Sequence, residues 1–159
     1  MTNSLLTSIS SSNPSAPSAC PTNQKIGKAI DTLTLKAMLS VSLAHINHPA
    51  FYFCLDPECP TVYYSADGKQ LFTEVDLREK VYQKHPDEDE TLICYCFQYS
   101  VGGLRKEMHE TGVCHAVEHI TAGIQKKQCA CDIRNPQGDC CLGNVRQTIK
   151  RLRAELRQP

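Results

Sequence analysis

The stretch that decides the fold runs Cys94-Tyr95-Cys96, then a longer run with helical patterning, then Cys129-Ala130-Cys131-Asp132-Ile133-Arg134-Asn135-Pro136-Gln137-Gly138-Asp139-Cys140-Cys141. With Cys114 it holds seven of the chain's ten cysteines. Close thiols on either side of helices are what a metal ion or an iron–sulfur cluster requires, because the ligands arrive from two directions at a distance the helices fix. The flanking residues supply those helices. Ser100 is placed to cap a helix bearing Val101, Leu104 and Met108 and ending at Gly112, although Gly102-Gly103 weakens it. Val113, Val117, Ile120 and Ile124 make one apolar face, and Leu142, Val145, Ile149, Leu152 and Leu156 make another.

The chemistry of the stretch points to four converging thiolates. Cys96 and Cys141 read as lying just before helix starts, where unpaired backbone amides offset sulfur charge. Cys94 and Cys96 share a side if their backbone is extended. The Asn135-Pro136-Gln137-Gly138 turn folds the chain back, so that Cys131 and Cys141 can converge. For the second pair of ligands, Cys129, Cys131, Cys140 and Cys141 all compete, and four thiolates suit a tetrahedral zinc as well as a two-iron cluster. Cys114 reads as a small core residue. His109, His115 and His119 read as surface, and no constellation suggests an enzyme.

Upstream, the pattern changes to strands. Phe51–Cys54 and Thr61–Ser65 flank a turn at Leu55–Pro60, and Asp67-Gly68 leads to a third strand at Gln70–Phe72. Thr34 is placed to cap a short helix through Leu35 and Leu39, and Thr73-Glu74-Val75-Asp76 fits a capping box. His45 and His48 fall in a loop over residues 40–50. Cys54 and Cys59 face each other across the hairpin turn, and Cys20 precedes Pro21; together they form a second, zinc-type thiol site. The expected architecture is α+β: a small β-hairpin zinc-type subdomain followed by a helical subdomain whose thiols bind a metal ion or a 2Fe-2S cluster. Its parts are a Ser/Pro-rich disordered tail at 1–19, a β-rich subdomain at 20–84, a charged linker at 85–91 and a helical subdomain at 92–159.

Composition narrows the function classes. Seventeen basic and seventeen acidic residues cancel, which argues against a nucleic-acid or anionic-membrane partner. One local bias is the final helix, with Arg146, Lys150, Arg151, Arg153 and Arg157; it is a solvated face or a docking patch for an acidic protein. The opening residues lack a basic region and a long apolar run, so they do not read as a secretory signal, and no segment has the length of a membrane span. Cys-x-Cys pairs and the vicinal Cys140-Cys141 make awkward disulfides within each pair. Metal binding in a reducing cytoplasm is the expectation.

The LICYCF segment, the helical run and CACDIRNPQGDCCLG together resemble the metallochaperones of the CopZ amino-terminal type over roughly residues 20–145. They are more distantly similar to the 2Fe-2S domain of bacterioferritin-associated ferredoxin. The resemblance implies cluster ligation by Cys94, Cys96, Cys131 and Cys141, with Cys140 as an alternate ligand or metal-transfer thiol and Cys129 as a bystander or supporting residue. It also implies a zinc site at Cys20, Cys54 and Cys59. There FYFCLDPEC fits the family pattern, but Asn23 stands where the family has a further cysteine, leaving His45 or His48, a water or another thiol as the fourth ligand. The implied function is copper handling, with Cu(II) reduced to Cu(I) and copper bound transiently; partners would be a separate copper carrier, a copper-transporting ATPase or a redox protein. The Met-x-Cys-x-x-Cys carrier motif of fuller family members is absent from this sequence. Two other readings stand beside it: a small electron-transfer protein docking on a redox or iron-storage partner, and a zinc-only interaction module.

Overall fold

The computed structural model describes residues 18–159, so most of the expected tail lies outside the described residues. Four short strands come first: β1 (Lys28–Ile30), β2 (Phe51–Phe53), β3 (Thr61–Ser65) and β4 (Leu71–Thr73). They pair antiparallel in the order β1-β2-β3-β4, with Phe53 opposite Tyr63 and Thr61 opposite Thr73. Every residue of β3 is buried, because both faces of the sheet are covered. Successive side chains on a strand point to opposite faces. Tyr63 accordingly joins a core of Phe51, Phe53, Leu35, Met38 and Leu39, while Tyr64 packs against Cys20, Cys54 and Cys59.

Helix α1 (Thr32–Met38) closes the first core. Its cap is Asp31, whose carboxylate accepts from Leu33 N at 2.7 Å. The expected cap, Thr34, is a buried residue of the helix itself, and its hydroxyl is used elsewhere. The Thr73–Asp76 capping box is present, but it closes a single 3-10 turn.

The second half is mostly helical. A hairpin of β5 (Leu92–Cys94) and β6 (Tyr99–Ser100) leads into α2 (Val101–Thr111), capped by Ser100 Oγ accepting from Gly103 N and stopped by Gly112 in the left-handed region. Then follow α3 (Ala116–Gln125), a one-turn α4 (Cys131–Arg134) and α5 (Leu142–Leu156). Helix α3 starts later than its apolar pattern suggests, so Val113 is exposed and outside it. Val101, Leu104, Met108, Ile120, Val145, Ile149 and Leu152 fill one core with Ile93.

The two cores are stitched together beside the cysteines. Tyr63 OH donates to Pro136 O at 2.5 Å, and Thr34 Oγ1 donates to Asp132 O at 2.5 Å, so α1 and the sheet support the loop carrying Cys131 and Cys141. Tyr95 OH donates to Lys80 O and accepts from Tyr82 N, and Tyr82 OH meets Thr148 Oγ1 at 2.7 Å. Among the described residues no helix is long and apolar enough to cross a membrane.

Candidate metal centres

Four thiols meet where the β5–β6 turn faces the α4–α5 loop. Cys94 ends β5, and Cys96 follows in the tight turn at 95–98, where Gln98 takes a positive φ of 61°. Cys131 opens α4, and Cys141 is the cap residue of α5. Cys96 Sγ lies 3.8 Å from Cys131 Sγ, and Cys141 neighbours both Cys131 and Cys94. The order of contact is Cys94–Cys141–Cys131–Cys96, so each thiol of the Cys-x-Cys unit meets a different partner. The expectation of an extended Cys94–Cys96 is therefore replaced by a turn. The thiols at helix starts are Cys131 and Cys141, whereas Cys96 sits in a hairpin turn and accepts from Ala130 N at 3.2 Å.

The Asn135–Gly138 turn makes this convergence possible. Gly138 N donates to Asn135 O at 2.8 Å, and Gly138 takes a φ of 75°, which disfavours a side chain. Asn135 is buried; its Nδ2 donates to Asp139 O at 2.8 Å and its Oδ1 accepts from Gln137 N.

The thiols differ in acidity. Hydrogen bonding from Cys141 holds Cys131 down at about 6 and, against the cost of burial, Cys94 down at about 7. Hydrogen bonding with Cys131 and Cys94, together with burial, favours the protonated form of Cys141 and pushes it up. Burial pushes Cys96 up to about 11, opposed by the Ala130 amide.

Around this set, Cys129 is half-buried and Cys140 exposed. Cys114 is buried ahead of α3, with its Sγ 3.5 Å from Glu107 Oε2. Phe97, one residue beyond Cys96, lies directly on Gly123 of α3, where a Cβ would collide with its ring. His119 is exposed and pairs with Tyr99 OH, and His109 and His115 are also exposed.

The second site is more compact. Cys20, Cys54 and Cys59 are all buried, and their sulfurs lie within 4.8 Å of one another. Among the described residues they are the one such group of three or more His, Cys, Asp or Glu ligand atoms. The β2–β3 turn brings Cys54 and Cys59 together, and a turn at Cys20–Gln24, closed by Gln24 N to Cys20 O, presents Cys20. Burial opposes ionisation of Cys20, but the Thr22 and Asn23 backbone amides prevail and lower it. Burial raises Cys54 to about 11.

No histidine completes this group. His48 Nδ1 is engaged with Ala50, and His45 sits on an exposed 3-10 turn held by Gln70. Neither expected candidate supplies a fourth ligand. Asn23, which stands where the family has a further cysteine, brings its Nδ2 to 3.6 Å from Cys54 Sγ.

Residues 17–78 match the CopZ family described as a zinc binding domain. No curated protein matches the chain. Among solved structures, the X-ray structure of the Archaeoglobus fulgidus CopZ N-terminal domain is similar, with 28% identity and a TM-score of 0.67, covering 81% of this chain and 95% of that domain. The chain thus carries a CopZ-like metal-binding domain, and its fold is similar to that of the CopZ N-terminal domain along most of the described length.

Proposed function

We propose that Cys94, Cys96, Cys131 and Cys141 hold a 2Fe-2S cluster, that Cys20, Cys54 and Cys59 hold zinc, and that the chain is a cytoplasmic metallochaperone in copper handling. The observation that carries the cluster reading is the spacing of the four sulfurs. They touch in sequence, yet no three of them fall within 4.8 Å of one another. A single tetrahedral zinc with Zn–S bonds of about 2.3 Å needs all its sulfurs roughly 3.8 Å apart. A binuclear centre needs two thiols per iron, and the pairs Cys94–Cys141 and Cys96–Cys131 provide that. A cluster bound there supplies one-electron chemistry, enough to convert one Cu(II) to Cu(I) once a redox partner has reduced it. The chain's own residues position the thiols, exclude water behind Ile93 and Val145, and present amide N–H groups to sulfur. Exposed Cys140 is a soft ligand available to the reduced ion.

The test is spectroscopic. Cys94→Ser and Cys141→Ser should each abolish the visible absorption of the anaerobically purified protein, and Cys114→Ser should keep it. A protein that loses its colour with Cys129→Ser and keeps it with Cys131→Ser would overturn the ligand assignment.

A second reading, electron transfer to an acidic partner, is favoured by α5. Arg146, Lys150, Arg153 and Arg157 are exposed along one flank of the helix, and none is in an ion pair among the described residues. Spaced 4, 3 and 4 apart, they form a stripe leading away from Cys141. Cu(I) titration separates the readings: stoichiometric binding that survives Cys94→Ser supports the chaperone, and no binding supports the carrier.

A further inference from the structure

Among the described residues the three-thiol site has no fourth protein ligand, and Asn23 is the polar side chain that faces Cys54. Its Nδ2 faces Cys54 Sγ at 3.6 Å and donates to Asp56 Oδ2 at 3.0 Å, while its Oδ1 accepts from Lys25 N at 3.0 Å. The side chain therefore offers the sulfurs a hydrogen-bond donor, which stabilises thiolate but cannot bind a cation. The nearby carboxylate is also committed: Asp56 Oδ2 takes Asn23 Nδ2 and pairs with Lys25 Nζ at 2.5 Å. Glu58 N holds the other oxygen, Oδ1, at 3.1 Å.

The site is also approachable. A surface pocket of about 240 Å³ lies against Cys54, lined by Lys25, Ile26, Leu55, Asp56 and Pro57. Ile26 and Leu55 are exposed apolar side chains; Lys25 is paired with Asp56, but Lys84, whose Nζ donates to Asp56 O at 2.6 Å, brings a cation near Cys54. Three thiolates on Zn²⁺ would leave one net negative charge and a fourth position for water or another exogenous ligand. Zinc sites closed by four protein ligands are structural; those with three leave a position for an exogenous ligand. A soft, small, anionic ligand suits the metal, the apolar wall and the lysine together.

Resting on the reading that zinc occupies these thiols, we propose that Cys20, Cys54 and Cys59 form an open three-thiolate centre whose fourth position accepts a small exogenous thiolate through this pocket. Asn23 stands beside Cys54 with its amide N–H, not an acceptor, towards the sulfur. The bound metal consequently exchanges, which a closed four-thiolate site would resist. In the binding step the incoming thiol forms one S–Zn bond and releases one proton to solvent, and water leaves the metal; no electron is transferred.

The experiment is zinc K-edge X-ray absorption on the full chain, purified without oxygen, together with zinc transfer to a chromophoric chelator. The wild type should show three sulfur neighbours and one nitrogen or oxygen, rising to four sulfurs with millimolar mercaptoethanol. Asn23→Cys should show four sulfurs from the start, no response to the added thiol, and zinc release at least tenfold slower. Asn23→Ala, which keeps the three thiols, should retain the wild-type count and release zinc at least as fast as the wild type. Four sulfurs in the untreated wild type, no change on adding thiol, or no bound zinc would each overturn the proposal. Iron and sulfide measured on the same samples report separately on the four-thiol set, so the two readings can fail independently.

Discussion

At the scale of single residues, the four clustered thiols divide into two that ionise readily and two that do not. Cys131 at about 6 and Cys94 at about 7 are largely thiolate at pH 7.5, while Cys96 at about 11 and raised Cys141 keep their protons. Metal binding must expel whatever protons remain. Loading this set at pH 7.5 should therefore release about two protons per chain, measured by calorimetry in buffers of different ionisation enthalpy on a metal-free Cys54→Ser chain. The lowered groups bind protons as pH falls through about 7 and then about 6, so proton release should climb towards four and affinity should drop. A release that stays constant down to pH 5.5 would contradict the assignment. Beside this set, Gly123 leaves room for the Phe97 ring. Gly123→Ala should destabilise the fold by about 1–3 kcal/mol through overpacking and broaden the visible spectrum by moving the turn that bears Cys96. The thiols themselves were legible in the sequence because Cys-x-Cys and the Asn-Pro-x-Gly turn are local signals. The role of Asn23 was not legible, since its approach to Cys54 depends on a contact across 31 positions of chain.

At the scale of elements, the loop bearing Cys131 and Cys141 is held from below. Tyr63 OH to Pro136 O joins the first sheet to the Asn135–Gly138 turn across 73 positions. Tyr63→Phe strands a buried carbonyl and should cost about 1–3 kcal/mol, seen as a lower urea midpoint with an unchanged slope. Because the turn loses its support, cluster retention in air should fall as well; full retention with lowered stability would separate the brace from the metal site. Helices α2 and α5 were legible from apolar spacing plus Ser100 and Gly112, whose cap geometry the structure reproduces. The start of α3 was not, because Val113 fits the periodicity while the chain turns outward before Ala116. The turn at 95–98 was not legible: the shared side of Cys94 and Cys96 required extended backbone, and β5 ends at Cys94.

At the scale of the molecule, two small cores share one seam, and the candidate metal ligands cluster on either side of it. Neither core alone is large, and a small core gains from a bound metal. The α+β arrangement, with a sheet first and helices after, was readable from the change of hydrophobic period near residue 92. The seam was not, because Tyr82, Tyr95, Thr34 and Tyr63 reach across it through single hydrogen bonds with no local pattern. The balanced net charge also conceals the cationic flank of α5, where the acidic residues lie elsewhere. The central claim is that one chain holds two different metal centres. Its most direct test is a count of iron, acid-labile sulfide and zinc in protein purified without oxygen: the account predicts two irons, two sulfides and one zinc per chain, and a colourless protein with two zincs and no sulfide would contradict it.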